Sequence, residues 1–320
     1  MKLSKAHQKQ IKLFVVAALF ILVSVLFLLT GPQTLNLVES KVSSENLAPA
    51  IIDQGTVLSV KSPAPKIEII SSEIQPPYLS AVAAIAYDAN NDKILYQKNI
   101  DARLAPASTT KIMTAIIASE YFNSGDLLTV PPAAIVGGST MGLTPGEQLT
   151  FRSLLYGMML NSGNDAAFTI AHNYPGGIQI FIKEMNERAL SLGAKNTNFD
   201  NPAGFDSPTH YSSAYDLLLI GKEAIKNAKL GTVFSTKETS VTSVDRIHSH
   251  TLKNLNKLLE EEGIVGIKTG TTEMAGESFV GLVEKNNQTL ITVMLNSKDR
   301  FGETKSLLDW IFQNYTWKIN

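Results

Sequence analysis

The sequence predicts an α+β fold in which an antiparallel sheet packs against helices, beside a helical subdomain and behind an N-terminal transmembrane helix. Three observations support this prediction. Strand patterns lie at both ends of residues 78–320, helical periodicity lies between them, and a long apolar run follows a lysine cluster at the N-terminus. With strands at its two ends, the domain is expected to bring both ends into one sheet.

The composition excludes several classes of function. The 320 residues are 44% hydrophobic, with 28 Lys and Arg against 29 Asp and Glu, so the formal net charge is -1. A nucleic-acid partner would require a clustered basic face, which this balance does not suggest. The lack of cysteine in the sequence excludes disulfides, thiolate metal sites and cysteine nucleophiles together.

The N-terminus predicts a membrane anchor. A cluster of lysines precedes an uncharged apolar run from Leu13 to Leu29, and no acidic residue appears before Glu39. The run would span roughly 25 Å as a helix, short for a membrane span but longer than the core of most signal peptides. Because no small-x-small cleavage motif follows directly, an uncleaved signal anchor is preferred over a cleaved signal. The lysines should stay in the cytoplasm while the rest of the chain crosses.

These features divide the chain into four predicted parts. They are a cytoplasmic basic stub at 1–12, a transmembrane signal anchor at 13–30, an extracytoplasmic linker at 31–77 and one catalytic domain at 78–320. The linker is rich in Ser, Glu and Pro. Its segment Ile67–Ile70 could pair with a sheet edge, but the linker interpretation is preferred. The protein is therefore expected at the cell membrane, as a single-pass protein with its catalytic domain outside the cytoplasm.

The first elements of the domain are a hairpin and a helix. Residues 82–87 and 93–98 have strand patterns and are joined by a turn rich in Asp and Asn. A helix that is apolar nearly all round follows from Ser108, which predicts burial in a core. A region with many Gly and Pro turns then leads to Thr150.

The middle of the domain is predicted to be helical. Apolar residues recur at helical spacing from Ile178 to Ala189, and Gly193 stands where a C-cap is expected. Ser213–Asp216 resembles a capping box that opens a further helix at 217–228.

The last part of the domain returns to strands. Three short segments rich in β-branched and aliphatic residues are predicted strands: Ile264–Thr269, Phe279–Glu284 and Leu290–Leu295. A closing helix carries an apolar stripe from Leu307 to Tyr315. Its aromatic tail, 310–317, is assigned to core packing, since it has no basic face that would favour a membrane surface.

A Ser-x-x-Lys motif stands at the start of the first predicted helix. Ser108 and Lys111 are three residues apart in the stretch Pro106–Thr114 and hence lie on one helical face. The free N–H groups of the first turn would point at whatever approaches the serine oxygen. This is the layout of a serine nucleophile activated by an amine. The alternative is an N-cap serine followed by a lysine lying along apolar surface, so the motif needs partners.

Two further motifs follow in the chain. Ser162-Gly163-Asn164 lies between two helical segments, and Lys268-Thr269-Gly270 lies at the end of a predicted strand. A Ser-x-Asn motif alone is weak, because Ser44–Asn46 also matches it. The Lys-Thr-Gly motif is rarer, and its position on a strand is the context that this motif requires.

With these three motifs in this order, the chain resembles the serine D-alanyl-D-alanine carboxypeptidases, which are low-molecular-mass penicillin-binding proteins. The resemblance extends from about Tyr78 to Tyr315 and implies the penicillin-recognising serine hydrolase fold. Five stretches carry it: Ala105–Thr114, Gly142–Glu147, Met158–Ala167, Asn201–Phe205 and Gly266–Thr272.

The resemblance implies a set of catalytic residues. Ser108 would be the nucleophile, Lys111 its base, and Ser162 a relay that carries a proton toward the leaving amine. Lys111 can act as a base only when neutral, and both partial burial and the ammonium of Lys268 would lower its pKa.

The resemblance also implies substrate-binding residues. Asn164 would hold the peptide carbonyl of the substrate, while Lys268 and Thr269 would receive its terminal carboxylate. Gly270 would let the substrate lie along the strand as an added β-strand. The backbone N–H groups of Ser108 and Thr271 would form the oxyanion hole.

The implied function is removal of the terminal D-Ala from peptidoglycan stem pentapeptides through an acyl-enzyme, with β-lactams acylating the same serine. The expected partners are the stem peptide, β-lactams and the membrane. No cofactor, metal or nucleic acid is expected. Thr271 stands where some family members have His, and Asn254–Asn256 lacks an Arg that some relatives place there. Many members also carry a C-terminal β-rich domain with a membrane-binding helix, whose anchoring role the N-terminal segment is expected to take here.

Three alternatives remain open from the sequence. A Ser-His-Asp hydrolase could use His210 with Asp206 or Asp216, but the chain has no Gly-x-Ser-x-Gly elbow. A class A β-lactamase would share the serine and both lysines, but no loop glutamate follows Ser162. A non-catalytic wall-binding or β-lactam-sensing module is disfavoured by the intact catalytic set. The remaining histidines, His172, His248 and His250, are predicted at the surface or at helix ends, without metal-binding spacing.

Overall fold

The computed structural model describes residues 66–69 and 75–318. The chain divides into two units, residues 1–60 and 61–320. The predicted basic stub, the signal anchor and most of the linker lie outside the described residues. Within the part that is described, no helix is both long and apolar enough to span a bilayer.

A five-stranded antiparallel sheet forms the centre of the domain. The five strands are β2 (Ala83–Asp88), β3 (Lys93–Lys98), β8 (Ile264–Thr272), β9 (Gly276–Lys285) and β10 (Gln288–Ser297). Their order across the sheet is β3-β2-β10-β9-β8. Strand β2, from the start of the domain, pairs with β10, from its end, with Ile85 opposite Val293. This confirms the predicted hairpin and the prediction that strands from both ends of the domain share one sheet.

The helices fill the middle of the chain and its C-terminal part. They are α1 (Lys111–Tyr121), α2 (Phe151–Leu160), α3 (Asn164–Asn173), α4 (Gly177–Ser191), α5 (Ala214–Ala224), α6 (Ala228–Ser235) and α7 (Arg300–Asn314). Two sequence predictions of helix ends are confirmed. The Ser213 side chain accepts from Asp216 N–H at the start of α5, and Gly193 has a φ of +85° just beyond α4.

Strand β2 is buried on both faces because helices cover both sides of the sheet. Ala83, Ile85 and Tyr87 pack into the core shared with α1 to α6. Ala84 and Ala86 point the other way, into a smaller core to which α7 contributes residues such as Leu307. Successive side chains of β2 point to opposite faces of the sheet, and both faces are buried. Apolar residues therefore occupy consecutive positions of this strand and not every second one.

The predicted linker contains a strand. Strand β1 (Lys66–Ile69) pairs antiparallel with β11 (Tyr315–Lys318), so the linker interpretation is wrong for this segment. The segment is a strand, as the alternative suggested, but it belongs to a separate two-stranded sheet and not to the edge of the central sheet. The Ile-Glu-Ile-Ile pattern is a strand pattern, but the surrounding prolines concealed it. The predicted closing helix likewise ends at Asn314, and its aromatic tail continues as β11.

Three smaller features differ from the sequence prediction. The helix expected at 217–228 ends at Ala224, and a separate helix, α6, starts where the Asn227 side chain caps Lys229 N–H. Two short hairpins were not predicted: β4 (Leu127–Thr129) with β5 (Gln148–Thr150), and β6 (Glu238–Thr242) with β7 (Ser249–Lys253). Strands β4 and β5 have only three residues each, which is too short for a visible alternation, and β6 and β7 are rich in Ser and Thr.

Candidate active site

Ser108 lies in a tight turn that precedes α1. Residues Ala107–Thr110 form a 3-10 turn, and Ala107 adopts a φ of +50°. Two glycines enclose this turn. A Cβ at Gly204 would collide with the carbonyl oxygen of Ala107, and one at Gly270 would lie 2.9 Å from Ser108 N. The backbone of strand β8 can therefore approach the Ser108 turn only because position 270 has no side chain.

Lys111 is buried at the first turn of α1 and contacts three groups. Its Nζ lies 2.9 Å from Ser108 Oγ, 2.8 Å from Asn164 Oδ1 and 2.6 Å from Ala203 O. The amide and carbonyl oxygens can only accept, so they engage two N–H bonds of the amine. A neutral amine with both N–H bonds so engaged has its lone pair left for Ser108, which can then donate its hydroxyl proton.

The surroundings of Lys111 favour the neutral amine. Burial, and after it the positive charge of Lys268, hold the pKa of Lys111 well below the ordinary value of lysine, while Asp165 acts in the opposite direction. Both causes were predicted from the sequence and are confirmed. An amine in this environment has the property that a general base requires at neutral pH.

The Ser-x-Asn motif forms the connection between α2 and α3. Ser162 is buried with a φ of +58°, and Asn164 is the first residue of α3. Both polar atoms of the Asn164 side chain are engaged, because Oδ1 accepts from Lys111 and Nδ2 donates to Gly137 O at 2.8 Å. Because the amide nitrogen of asparagine carries two N–H donors, Nδ2 can hold a substrate carbonyl while it keeps the contact with Gly137 O.

The Lys-Thr-Gly motif lies on strand β8, beside the Ser108 turn. Lys268 and Thr269 are buried, whereas Thr271 is exposed. Burial, and after it the guanidinium of Arg300, lower the pKa of Lys268 to about 7. The fold thus brings the Ser-x-x-Lys turn together with the β8 motif through Gly270, and with the Ser-x-Asn motif through Asn164.

Arg300 belongs to this site, although the sequence did not reveal it. Its Nη1 donates to Gly270 O at 2.8 Å and to the hydroxyl of Thr271. Arg300 is the first residue of α7, where a cation opposes the helix dipole. This unfavourable position of a cation is the sequence signal by which Arg300 could have been recognised as a site residue.

The comparisons with known proteins agree with this geometry. Residues 70–299 match the family model described as D-alanyl-D-alanine carboxypeptidase. The chain belongs to this family. The match covers most of the described domain and confirms the resemblance that the motifs indicated.

Curated relatives support membership in the D-alanyl-D-alanine carboxypeptidase family. The D-alanyl-D-alanine carboxypeptidase DacF of Bacillus subtilis is 36% identical over 250 residues, which are 73% of this chain and 63% of that protein. DacC of Escherichia coli is 32% identical over 268 residues, which are 78% of this chain and 66% of that protein. The chain thus spans slightly less than two thirds of the length of these relatives.

Solved structures confirm the penicillin-recognising fold. The crystal structure of the Streptomyces K15 DD-transpeptidase superposes with a TM-score of 0.71 at 32% identity, covering 75% of this chain and 100% of that one. A penicillin-binding protein homologue from Mycobacterium tuberculosis superposes with a TM-score of 0.71 at 28% identity, covering 76% and 95%. The predicted α+β fold, with an antiparallel sheet and packed helices, is therefore correct.

Two buried histidines of this carboxypeptidase-family chain differ from the sequence interpretation. His210 contacts Thr110 Oγ1 at 2.8 Å and Asp200 Oδ1 at 3.1 Å. Its partners are thus neither a serine nor the two aspartates considered from the sequence, and Thr110 is buried, which contradicts the Ser-His-Asp alternative. His250 was predicted at the surface or at a helix end but is buried against Glu147. Thr110 lies 100 residues from His210, and Glu147 lies 103 residues from His250, so no local pattern indicated these two contacts.

Proposed function

We propose that the protein is a serine D-alanyl-D-alanine carboxypeptidase that removes the terminal D-Ala of peptidoglycan stem pentapeptides. The observation that carries this proposal is the buried amine of Lys111, 2.9 Å from Ser108 Oγ, with two oxygen acceptors for its N–H bonds. The curated relatives DacF and DacC are D-alanyl-D-alanine carboxypeptidases, which supports the choice of substrate. In this proposal β-lactams acylate the same serine.

Acylation begins with proton transfer. The neutral amine of Lys111 takes the hydroxyl proton of Ser108 while the serine oxygen attacks the carbonyl carbon of the D-Ala-D-Ala bond. The N–H groups of Ser108 and Thr271 stabilise the negative charge that develops on the carbonyl oxygen. Ser162 relays a proton to the departing amine, so that free D-Ala leaves and an ester on Ser108 remains.

Recognition of a free C-terminus is assigned to the β8 end of the site. Lys268 and Thr269 receive the terminal carboxylate, and the nearby Arg300 adds a second positive charge. Arginine binds carboxylates strongly because its planar guanidinium presents several donors. A peptide whose C-terminus is an amide lacks the charge that these groups meet.

Hydrolysis of the ester requires an activated water. Class A β-lactamases are thought to use a loop glutamate for this step. The glutamates that follow Ser162 here, Glu184 and Glu187, lie on the regular helix α4, and Glu187 pairs with Lys183 at 2.9 Å. Lys111 therefore serves both steps. A departed D-Ala opens the path for water, whereas an opened β-lactam ring stays attached and blocks that path.

The location of the enzyme follows from its proposed substrate and from the sequence of residues 1–77. Peptidoglycan lies outside the cytoplasmic membrane, so the catalytic domain must be exported. The apolar run at 13–30 anchors the chain, residues 31–65 connect the anchor to the domain, and the lysine cluster keeps the N-terminus in the cytoplasm. Membrane fractionation with protease added from outside tests this arrangement.

Release of free D-Ala tests the proposed activity. The protein is incubated with a pentapeptide that ends in D-Ala-D-Ala, alongside a Ser108→Ala variant. The matched control is Ser119→Ala, which removes a hydroxyl from the same helical segment away from the site. The wild type and the control should release D-Ala and Ser108→Ala should not. Release by Ser108→Ala, or none by the wild type, would refute the assignment.

A further inference from the structure

A buried histidine–glutamate pair fastens the segment that lies beside Asn164. His250, on β7, has its Nε2 2.6 Å from Glu147 Oε1 and its Nδ1 3.0 Å from the carbonyl oxygen of Met141. The side chains are 7% and 0% exposed. The pair joins two elements that are 103 residues apart in the chain, and the catalytic steps proposed above do not use it.

The contacts of this pair define where its protons lie. A carbonyl oxygen cannot donate, so Nδ1 must carry a proton and donate to Met141 O. Nε2 faces a carboxylate oxygen, and the other oxygen of Glu147 already accepts from the N–H and the hydroxyl of Thr144, both at 3.1 Å. His250 thus joins the carbonyl oxygen of Met141 to the Glu147 side chain through its two ring nitrogens.

The segment that His250 holds, residues 137–147, packs directly on the catalytic site. Its Gly137 O accepts from Asn164 Nδ2, and its Ser139 O accepts from Asn164 N–H, both at 2.8 Å. A Cβ at Gly138 would lie 2.8 Å from Asn164 Nδ2, so the backbone of the segment has no room beside this side chain. A displacement of the segment would therefore displace Asn164.

Asn164 in turn positions the general base. Its Oδ1 accepts from Lys111 Nζ at 2.8 Å, which is one of the contacts that direct the amine toward Ser108. Asp165 also holds the segment, by accepting from the N–H groups of Met141, Gly142 and Leu143. Asp165 binds the segment from α3 itself, whereas His250 binds it from the β6–β7 hairpin.

We propose that His250 is a positioning residue for acylation: through Met141 and Glu147 it fixes residues 137–147 against Asn164 and so fixes Lys111 beside Ser108. This inference rests on the proposed function, because it assigns a role in the acylation of Ser108. It adds to that function a buried histidine–glutamate pair that lies outside the three sequence motifs.

The test compares rates of acylation by a fluorescent penicillin in full-length variants in detergent. The double variant His250→Leu/Glu147→Leu replaces both partners with apolar groups, which often leaves stability nearly unchanged. No donor then reaches Met141 O, so acylation of the double variant should be about 10- to 100-fold slower than that of the wild type. Misplacing a reacting group by about 1 Å can lower a rate by about 10²-fold. His248→Leu, on the same hairpin, is the matched control and should acylate like the wild type.

A second readout follows the ring nitrogens of His250 themselves. In the NMR spectrum of isotope-labelled histidines, the signals missing from His250→Leu identify this ring. We expect the Nε2 signal of this ring to move in Glu147→Gln, because its hydrogen-bond partner changes. A histidine that only filled space in the core, without this contact, would show no such dependence on Glu147.

The outcomes separate this inference from the proposed function. A double variant that unfolds like the wild type but acylates at the wild-type rate would overturn the positioning role, and so would a His250 signal that does not change in Glu147→Gln. If the wild type is not acylated at all, the proposed function fails. The spectrum then still shows whether His250 contacts Glu147 as the geometry requires.

Discussion

At the scale of single residues, the site is organised around the hydrogen bonds of Lys111. A lysine exposed to water is protonated at neutral pH and has no lone pair to offer. Here burial and the charge of Lys268 hold the pKa of Lys111 well below the ordinary value of lysine, and two oxygen acceptors fix the orientation of the amine. The serine hydroxyl is thus the group left to meet the lone pair.

Replacement of Lys111 tests its role as the base. Lys111→Ala should lower the rate of acylation by at least the roughly 10²–10⁴-fold that is typical of lost acid–base catalysis. Lys111→Arg keeps a cation but cannot lose its proton, so it should be impaired to a similar extent. The rates are measured with a fluorescent penicillin. Near-normal acylation in Lys111→Arg would show that the positive charge, and not a base, is required.

The titration of Lys268 predicts how kcat/KM for peptide substrates depends on pH. Its pKa is lowered to about 7, so its positive charge is present below this pH and is lost as the pH rises through it. The value of kcat/KM, which reports the free enzyme, should therefore fall above pH about 7 for peptides with a terminal carboxylate. A matched peptide with a C-terminal amide should not show this fall. Identical profiles for the two peptides would mean that Lys268 does not receive the carboxylate.

The residues of the site differ in how visible they are in the sequence. Ser108, Lys111 and Lys268 stand in short motifs, and a motif is visible because its members are near each other in the chain. Arg300 reaches Gly270 from 30 residues away, and His250 reaches Glu147 from 103 residues away. Such contacts depend on the packing of whole elements, which local spacing does not encode.

At the scale of elements, the turn that carries Ser108 depends on close backbone approaches. The sequence suggested that Gly270 makes room for substrate along β8. In the structure Gly270 also makes room for the Ser108 turn, and Gly204 does the same from the opposite side. These two glycines, on different elements, allow a turn with a left-handed Ala107 to sit between a strand and a loop.

A substitution at Gly204 tests this arrangement. Gly204→Ala would place a Cβ against the carbonyl oxygen of Ala107 at a φ of +90°. We expect a loss of unfolding free energy on the order of 1–3 kcal/mol, together with slower acylation, because the turn must shift. The control is Gly231→Ala on α6, where a new Cβ meets nothing within 4 Å. Thermal unfolding and penicillin labelling measure both effects, and a Gly204→Ala protein equal to its control would contradict the account.

Element prediction succeeded where apolar periodicity is strong and failed where it is weak. The buried helix α1 and the strands β8 to β10 are rich in aliphatic residues and were located correctly. The hairpin of β6 and β7 is rich in Ser and Thr and was missed. Strand β1 was assigned to a linker because its four residues, Lys66–Ile69, are stabilised by a partner at the other end of the chain.

At the scale of the whole molecule, the two ends of the domain are joined twice. Strand β2 pairs with β10 in the central sheet, and β1 pairs with β11 in a separate two-stranded sheet. Strand β11 is itself tied to the central sheet, since Trp317 Nε1 donates to Asp88 Oδ2 and Tyr315 OH donates to Leu95 O. The segment just before the catalytic domain is thus attached to its C-terminal end.

Truncation of the chain tests the contribution of β1. A protein that starts at residue 78 loses β1, whereas one that starts at residue 66 keeps it. Both should be soluble and active, because the site is built from residues 107–300, but the shorter one should have a lower Tm, by about 2–4 °C for each kcal/mol lost. Equal Tm values would show that β1 adds no stability. Loss of activity in the shorter protein alone would show that β1 supports the site.

The central claim is that Ser108 forms a covalent acyl-enzyme. Water cleaves this ester quickly once D-Ala has left, but slowly while an opened β-lactam remains attached. Intact-mass measurement after mixing the protein with penicillin, followed by mapping of the modified peptide, tests it directly. The account predicts one adduct on Ser108 that persists for minutes or longer, and none in Ser108→Ala. Rapid conversion of penicillin to its hydrolysed product without a detectable adduct, or an adduct on another residue, would contradict it.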